Sequence, residues 1–359
     1  SEKRKKLAEQ KKQKKAKNQN LKAIGPSESE IKSLLHNYQN GLYRDAEKLA
    51  LSITQEFPKH QFSWKVLGAV LKETGRVSES LVASQKSVQL VPQDAEAHNN
   101  LGTTLQEVGR LDEAESSLIQ AIALKPDFLE AHYNLGITLK ELGRLDEAEV
   151  SYTQAIALKP DYAEAHSNLG ITLKSLGRLD KAEASYTQAI ALKPDYSEAH
   201  SNLGNTLKEL GRLEEAEASY KQAIALKSDY AEAHSNLGNT LKELGRSDEA
   251  RASYRQAIAL KPDYADAHYN LGILCFESKK YNLAAEQFEL CDTHQSNPYA
   301  IQCSYLQDEE TVFYEKFDLL VNQVKTNAVL GSLGFRSEFK YGRKKSNSFC
   351  NDPLKYVVK

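Results

Sequence analysis

The sequence predicts an all-α solenoid of helix-turn-helix units, and three observations carry that prediction. One phrase recurs every 34 residues: His98, His132, His166, His200, His234 and His268 keep the interval, as do the Leu-Gly pairs beginning at Leu101, Leu135, Leu169, Leu203, Leu237 and Leu271. Apolar residues inside the phrase follow the helical period. Glycine and proline punctuate it at fixed places. A regular interval of this size marks a stacked repeat, in which each unit packs on its neighbours rather than closing on itself.

The unit 231–264 shows each element in order. Its first run places His234, Leu237, Leu241 and Leu244 on one face, at i, i+3, i+7 and i+10. Its second places Ala250, Tyr254, Ala257 and Ile258 at i, i+4, i+7 and i+8. Both spacings are helical, so these residues are the expected buried faces. Gly238 lacks a side chain where the paired helix must come close. Gly245 is expected to end the first helix in a left-handed conformation. Pro262 stops the second helix. Asp127…Glu130, Asp161…Glu164, Asp195…Glu198 and Asp229…Glu232 have the spacing of a capping box, and Asp263…Asp266 is similar.

In register, the units are 27–60, 61–94, 95–128, 129–162, 163–196, 197–230, 231–264 and 265–298. Residues 1–26 form a basic arm, 299–325 are expected to be capping helices, and 326–359 a poorly ordered tail or connector. Within the unit, Leu-Gly at positions seven and eight, small residues at 20 and 27, an aromatic at 24 and Pro at 32 resemble the tetratricopeptide repeat (TPR) family. Position 24 is Tyr152, Tyr186, Tyr220, Tyr254 and Phe288, but Leu118 earlier. Position four is His where the family has a large residue, as at Trp64. Ser228 once replaces the proline. The resemblance implies a right-handed TPR superhelix of about eight helix-turn-helix repeats with C-terminal capping helices.

Composition narrows the function. The 359 residues contain 40% hydrophobic residues, enough for a continuous helical core, and no apolar run long enough for a membrane span. No apolar segment follows the basic start, so no secretory signal is visible. Ser1 with no Met anywhere fits a processed start or a piece of a longer chain. Cys275, Cys291, Cys303 and Cys350 lack metal or disulfide spacing and read as thiols of a reducing, cytoplasmic compartment. Residues 1–20 hold nine Lys+Arg against two Glu, leaving 38 basic and 47 acidic residues elsewhere. That arm reads as a solvated, disordered or frayed-helix segment, with weak support for nucleic acid contact and none for a membrane helix. Phosphate-loop, dinucleotide, zinc-protease and nucleophile-elbow motifs are absent from the sequence. The repeated histidines, one per unit, are too far apart to share a metal and are expected in the core. No metal or cofactor is expected.

The candidate site is a second ladder. Position six is Asn100, Asn134, Asn168, Asn202, Asn236 and Asn270, joined at position nine by Asn205 and Asn239. An amide offers a donor and an acceptor, which is what a peptide bond requires. The alternative is that these amides bridge neighbouring helices. The phrase Ser235-Asn236-Leu237-Gly238-Asn239-Thr240-Leu241-Lys242-Glu243 resembles the TPR array of O-linked N-acetylglucosamine transferases, over roughly 95–298. That resemblance implies asparagines lining the concave face and holding an extended polypeptide. It fails in the first two units, where position six is Lys32 and Val66. A carboxylate clamp of the kind that uses Lys at position five is not expected, because that position is Asn99, Tyr133, Ser167, Ser201, Ser235 and Tyr269. The phrase Phe349–Val357 resembles the connector to an iron(II)/2-oxoglutarate oxygenase domain in some bacterial TPR proteins, without that domain's His-x-Asp motif. The leading expectation is thus a non-catalytic scaffold for a protein or extended peptide, with no small-molecule substrate. The alternative is the substrate-recruiting part of a larger oxygenase or glycosyltransferase.

Overall fold

In the computed structural model of the chain, residues 25–291, 299–300 and 302–303 are described. The basic arm, most of the capping segment and the tail lie outside them, as does Cys350. Among the described residues every regular element is a helix. The chain divides into two compact units, 1–193 and 194–359.

The first unit holds α1 (Glu28–Gln39), α2 (Tyr43–Glu56), α3 (Gln61–Glu73), α4 (Val77–Leu90), α5 (Ala95–Glu107), α6 (Leu111–Leu124), α7 (Leu129–Glu141), α8 (Leu145–Leu158), α9 (Ala163–Ser175) and α10 (Leu179–Leu192). The second holds α11 (Ser197–Glu209), α12 (Leu213–Leu226), α13 (Ala231–Glu243), α14 (Ser247–Leu260), α15 (Ala265–Glu277) and α16 (Tyr281–Leu290). Odd-numbered helices are the first of each pair and even-numbered the second. Within each unit a helix packs on its pair partner, the second helix of a pair packs on the first of the next, and successive odd-numbered helices touch. This is an all-α solenoid; in the second unit one apolar cluster runs through its pairs, whereas in the first the buried apolar residues form several clusters.

The glycine at position eight of the repeat and the residue at position 24 explain the close pairing. A Cβ on Gly136 would lie 2.7 Å from the Tyr152 ring, and one on Gly238 2.6 Å from the Tyr254 ring. Both rings are fully buried. The sequence predicts a close approach of the paired helix here, and the structure shows that it is the aromatic ring for which the glycine makes room. At the turn, Gly245 has φ 77° and Arg246 N–H donates to the Leu241 carbonyl at 2.8 Å, the bond that closes a Schellman turn. Seven such glycines recur, and Lys279 (φ 57°) takes the place in the last described pair.

The helix starts differ from expectation. The acids at Asp127, Asp161, Asp229 and Asp263 do not cap: the N-caps are Phe128, Tyr162, Tyr230 and Tyr264, one residue later, with no side-chain cap bond. Tyr196 likewise displaces Asp195. Tertiary packing overrides the local signal. Lys125, Lys159, Lys227 and Lys261 sit over these rings at 4.8–5.5 Å. The Tyr230 and Tyr264 hydroxyls bond to Ser201 and Ser235. Asp94, which stands at the cap position itself, does accept from the Ala97 N–H at 3.1 Å. A full capping box occurs at Ser27 and Glu30.

The histidines also differ from expectation. Only His268 is buried, 3% exposed; the other five are half-buried. Each points Nε2 at the carbonyl six residues back, as His132 does to Pro126 at 2.9 Å and His234 to Ser228 at 3.3 Å. The Trp64 indole N–H makes the same bond to Pro58, at 3.0 Å. The ring is chosen as an N–H donor that ties the first helix to the preceding loop, and neighbouring small residues fill the core instead.

Candidate functional site

Positions 3, 7, 8, 10 and 11 of the odd-numbered helices face the core. Positions 2, 6, 9 and 13 therefore fall on one stripe away from it, at i, i+4, i+7 and i+11. On α13 this stripe is Glu232, Asn236, Asn239 and Glu243, each half-buried or exposed. The ladder residues take this place throughout: Asn100 on α5, Asn134 on α7, Asn168 on α9, Asn202 and Asn205 on α11, Asn236 and Asn239 on α13, and Asn270 on α15, all half-buried.

Three of these amides bridge neighbouring helices, the alternative the sequence offered. Asn134 Nδ2 donates to Asn99 Oδ1 at 2.9 Å, Asn168 Nδ2 to the Tyr133 hydroxyl at 2.8 Å, and Asn236 Nδ2 to Asn205 Oδ1 at 3.1 Å. Each bond crosses to the preceding odd-numbered helix. Each uses one of the two N–H bonds, leaving the other and the carbonyl oxygen to the stripe. Asn100 and Asn270 make no side-chain hydrogen bond among the described residues. Below the ladder, the hydroxyls of Thr138, Thr172 and Thr240 donate to the backbone carbonyls of Asn134, Asn168 and Asn236 at 2.9–3.0 Å.

Position nine is organised by residues that the sequence reading placed only in the core. The Tyr220 hydroxyl donates to Asn205 Oδ1 at 2.7 Å and the Tyr254 hydroxyl to Asn239 Oδ1 at 2.8 Å. The available signal was the joint occurrence of Asn at position nine with Tyr at 24. In 129–162 position nine is Ile137, and the buried Tyr152 hydroxyl has no partner among the described residues.

Charges border the stripe in pairs. Lys72, Lys208 and Lys242 at position twelve reach Glu107, Glu243 and Glu277 of the following odd-numbered helix at 2.9–3.6 Å. Three of the six position-two acids pair with lysine: Glu96 with Lys65 at 2.7 Å, Glu164 with Lys193 at 3.2 Å and Glu198 with Lys227 at 3.8 Å. On the outer side, Arg144 and Arg246 join Glu115 and Glu217 of the preceding pair at 2.6 Å, and Arg178 joins Glu149. Pairs with an exposed partner, such as Lys208–Glu243 and Lys242–Glu277, contribute little stability individually, whereas Glu217 is itself buried. Among the described residues no group of His, Cys, Asp and Glu converges on a metal position, and no helix is long and apolar enough to cross a membrane.

Comparison with known proteins agrees with this architecture. The TPR repeat family matches at 107–143, 138–177, 172–211, 204–245 and 238–279, and a further tetratricopeptide repeat at 83–116. Together these run from 83 to 279, more than half of the 359 residues, and the chain belongs to the tetratricopeptide repeat family. None of the curated proteins is a match by sequence. Among solved structures, the APC/C hetero-tetramer Cut9–Hcn1 is similar with TM-score 0.55 and 19% identity. That match covers 73% of this chain and 52% of the other, so this chain spans about half of that protein's length. Pseudomonas aeruginosa pilF is similar with TM-score 0.53 and 18% identity, covering 61% of this chain and 97% of that one. At these identities the likeness concerns the fold.

Proposed function

We propose that the chain is a non-catalytic protein-interaction scaffold that holds extended polypeptide along the stripe of the odd-numbered helices in each unit. One observation carries the reading. The same half-exposed amide recurs on six successive first helices, and three of the six are oriented by a bond to the preceding helix. Repeated, oriented amides suit a repeated ligand, and the polypeptide backbone is one. The partner is chosen by backbone geometry more than by side chains.

The test separates binding from folding. Peptides selected from a random display library on the wild-type chain are titrated against Asn100→Ala and, separately, Asn270→Ala, one in each unit. The side chains of these two residues make no hydrogen bond among the described residues, so their loss leaves the helix contacts in place. Each amide–peptide hydrogen bond is worth about 1 kcal/mol, so each change is expected to weaken the peptides bound at its unit about fivefold. Unchanged affinity with unchanged circular dichroism rejects the ladder. Asn168→Ala and Asn236→Ala are expected to lower stability as well, because each breaks a bond between helices.

A further inference from the structure

The amides at position nine present a chemistry different from those at position six. Asn205 Oδ1 receives two donors, the Tyr220 hydroxyl at 2.7 Å and Asn236 Nδ2 at 3.1 Å. A carbonyl oxygen has two lone pairs, so this acceptor is filled. Asn239 Oδ1 receives the Tyr254 hydroxyl at 2.8 Å. The buried tyrosines thus fix the amide orientation. Oδ1 turns inward, and Nδ2 turns away with no partner among the described residues. At this position the stripe offers N–H donors, with the Asn205 acceptor filled and the Asn239 acceptor holding one bond already.

The donors are spaced one repeat apart. The helices α11 and α13 touch directly. Packed helices lie roughly 8–10 Å apart, which sets the donor spacing. A ligand must therefore present carbonyl oxygens on one side at about that interval. A β-strand repeats its edge every second residue, about 6.6 Å, or every fourth, about 13 Å, and fits neither way. A polyproline II helix has three residues per turn and a rise of about 3.1 Å, so its carbonyls recur on one side about every 9 Å. Its proline residues have no N–H, so the shortage of acceptors at position nine costs nothing. Its backbone carbonyls are otherwise left to solvent, so they are available to the site.

We propose that the α11–α13 face binds a proline-rich segment in the polyproline II conformation, its carbonyls accepting the outward N–H bonds of Asn205 and Asn239. The site belongs to the second unit alone. In 129–196 position nine is Ile137 and Ile171, which donate nothing. The inference rests on the scaffold reading and narrows its ligand.

The test uses the full chain and two labelled ten-residue peptides, one of proline and one alternating Thr and Gln, followed by fluorescence anisotropy. Decaproline is expected to bind, and Asn205→Asp/Asn239→Asp to weaken it about thirtyfold, the loss of two hydrogen bonds. Aspartate keeps the shape and the acceptor for tyrosine but replaces each outward donor with an oxygen. Should that variant unfold, Asn205→Ile/Asn239→Ile serves instead, because this fold already holds isoleucine there at Ile137 and Ile171. Decaproline bound equally by wild type and variants overturns the assignment to these amides. Binding of the Thr-Gln peptide without decaproline overturns the conformational preference while the scaffold reading survives. If neither peptide binds, both fail.

Discussion

The same substitution, Tyr→Phe at position 24, is expected to act with opposite sign in two repeats. Tyr152 and Tyr220 are both fully buried against a glycine of the paired helix. Burial pushes both hydroxyls well above the usual tyrosine range, so neither ionises in any ordinary buffer. Their partners differ. The Tyr220 hydroxyl donates to Asn205 at 2.7 Å, whereas that of Tyr152 has none among the described residues, because Ile137 stands where Asn205 would be. A buried polar group left unsatisfied costs about 1–3 kcal/mol, and a satisfied hydrogen bond contributes about 1 kcal/mol. Tyr152→Phe is therefore expected to stabilise by about 1 kcal/mol, and Tyr220→Phe to destabilise by about the same. Urea unfolding monitored by far-ultraviolet circular dichroism reads both, compared at equal slope so that the midpoint shift reports stability. Because repeat arrays can unfold in parts, amide exchange in α7–α8 and α11–α12 locates each effect. Ile137→Asn in the wild-type background is expected to supply the missing acceptor and stabilise as Tyr152→Phe does. Destabilisation of similar size by both Tyr→Phe changes would refute the reasoning.

Three further outcomes follow from other contacts. Lys279→Gly is expected to stabilise by about 0.5–1 kcal/mol, read as a higher urea midpoint, because Lys279 holds a left-handed φ of 57° where seven other turns use glycine. Gly170→Ala is expected to destabilise by about 1–2 kcal/mol: its Cβ would lie 2.7 Å from the buried Tyr186 ring, and overpacking outweighs the gain in helix propensity. Burial alone would raise the Asp94 carboxyl, but Lys65, the Ala97 N–H and Gln61 hold it below the usual aspartate value. A depressed folded value means that its contribution is complete above the unfolded value of about 3.9 and is lost as pH falls through the folded one. Asp94→Asn, which keeps the cap, should flatten the stability–pH curve below about pH 4, and an unchanged curve would exclude the pair as its source.

The sequence by itself determined the helix pairs, their interval, the left-handed glycines and the close approach at the position-eight glycine. These are local or strictly periodic properties: a backbone φ, a helical face, a volume that must be missing where the paired helix must fit. It also placed the asparagines on one stripe, since 3.6 residues per turn decides which positions share a face. Only the tertiary structure decided what those side chains touch. Asp127 has a cap's spacing, yet Phe128 takes the cap because its ring can pack under Lys125. His234 has a core residue's spacing, yet its ring turns to the Ser228 carbonyl. The bond from Asn236 to Asn205 spans 31 residues, and the one from Asn168 to Tyr133 spans 35. Such partners are set by how one helix lies on the next, a distance and rotation that the 34-residue period implies but does not specify.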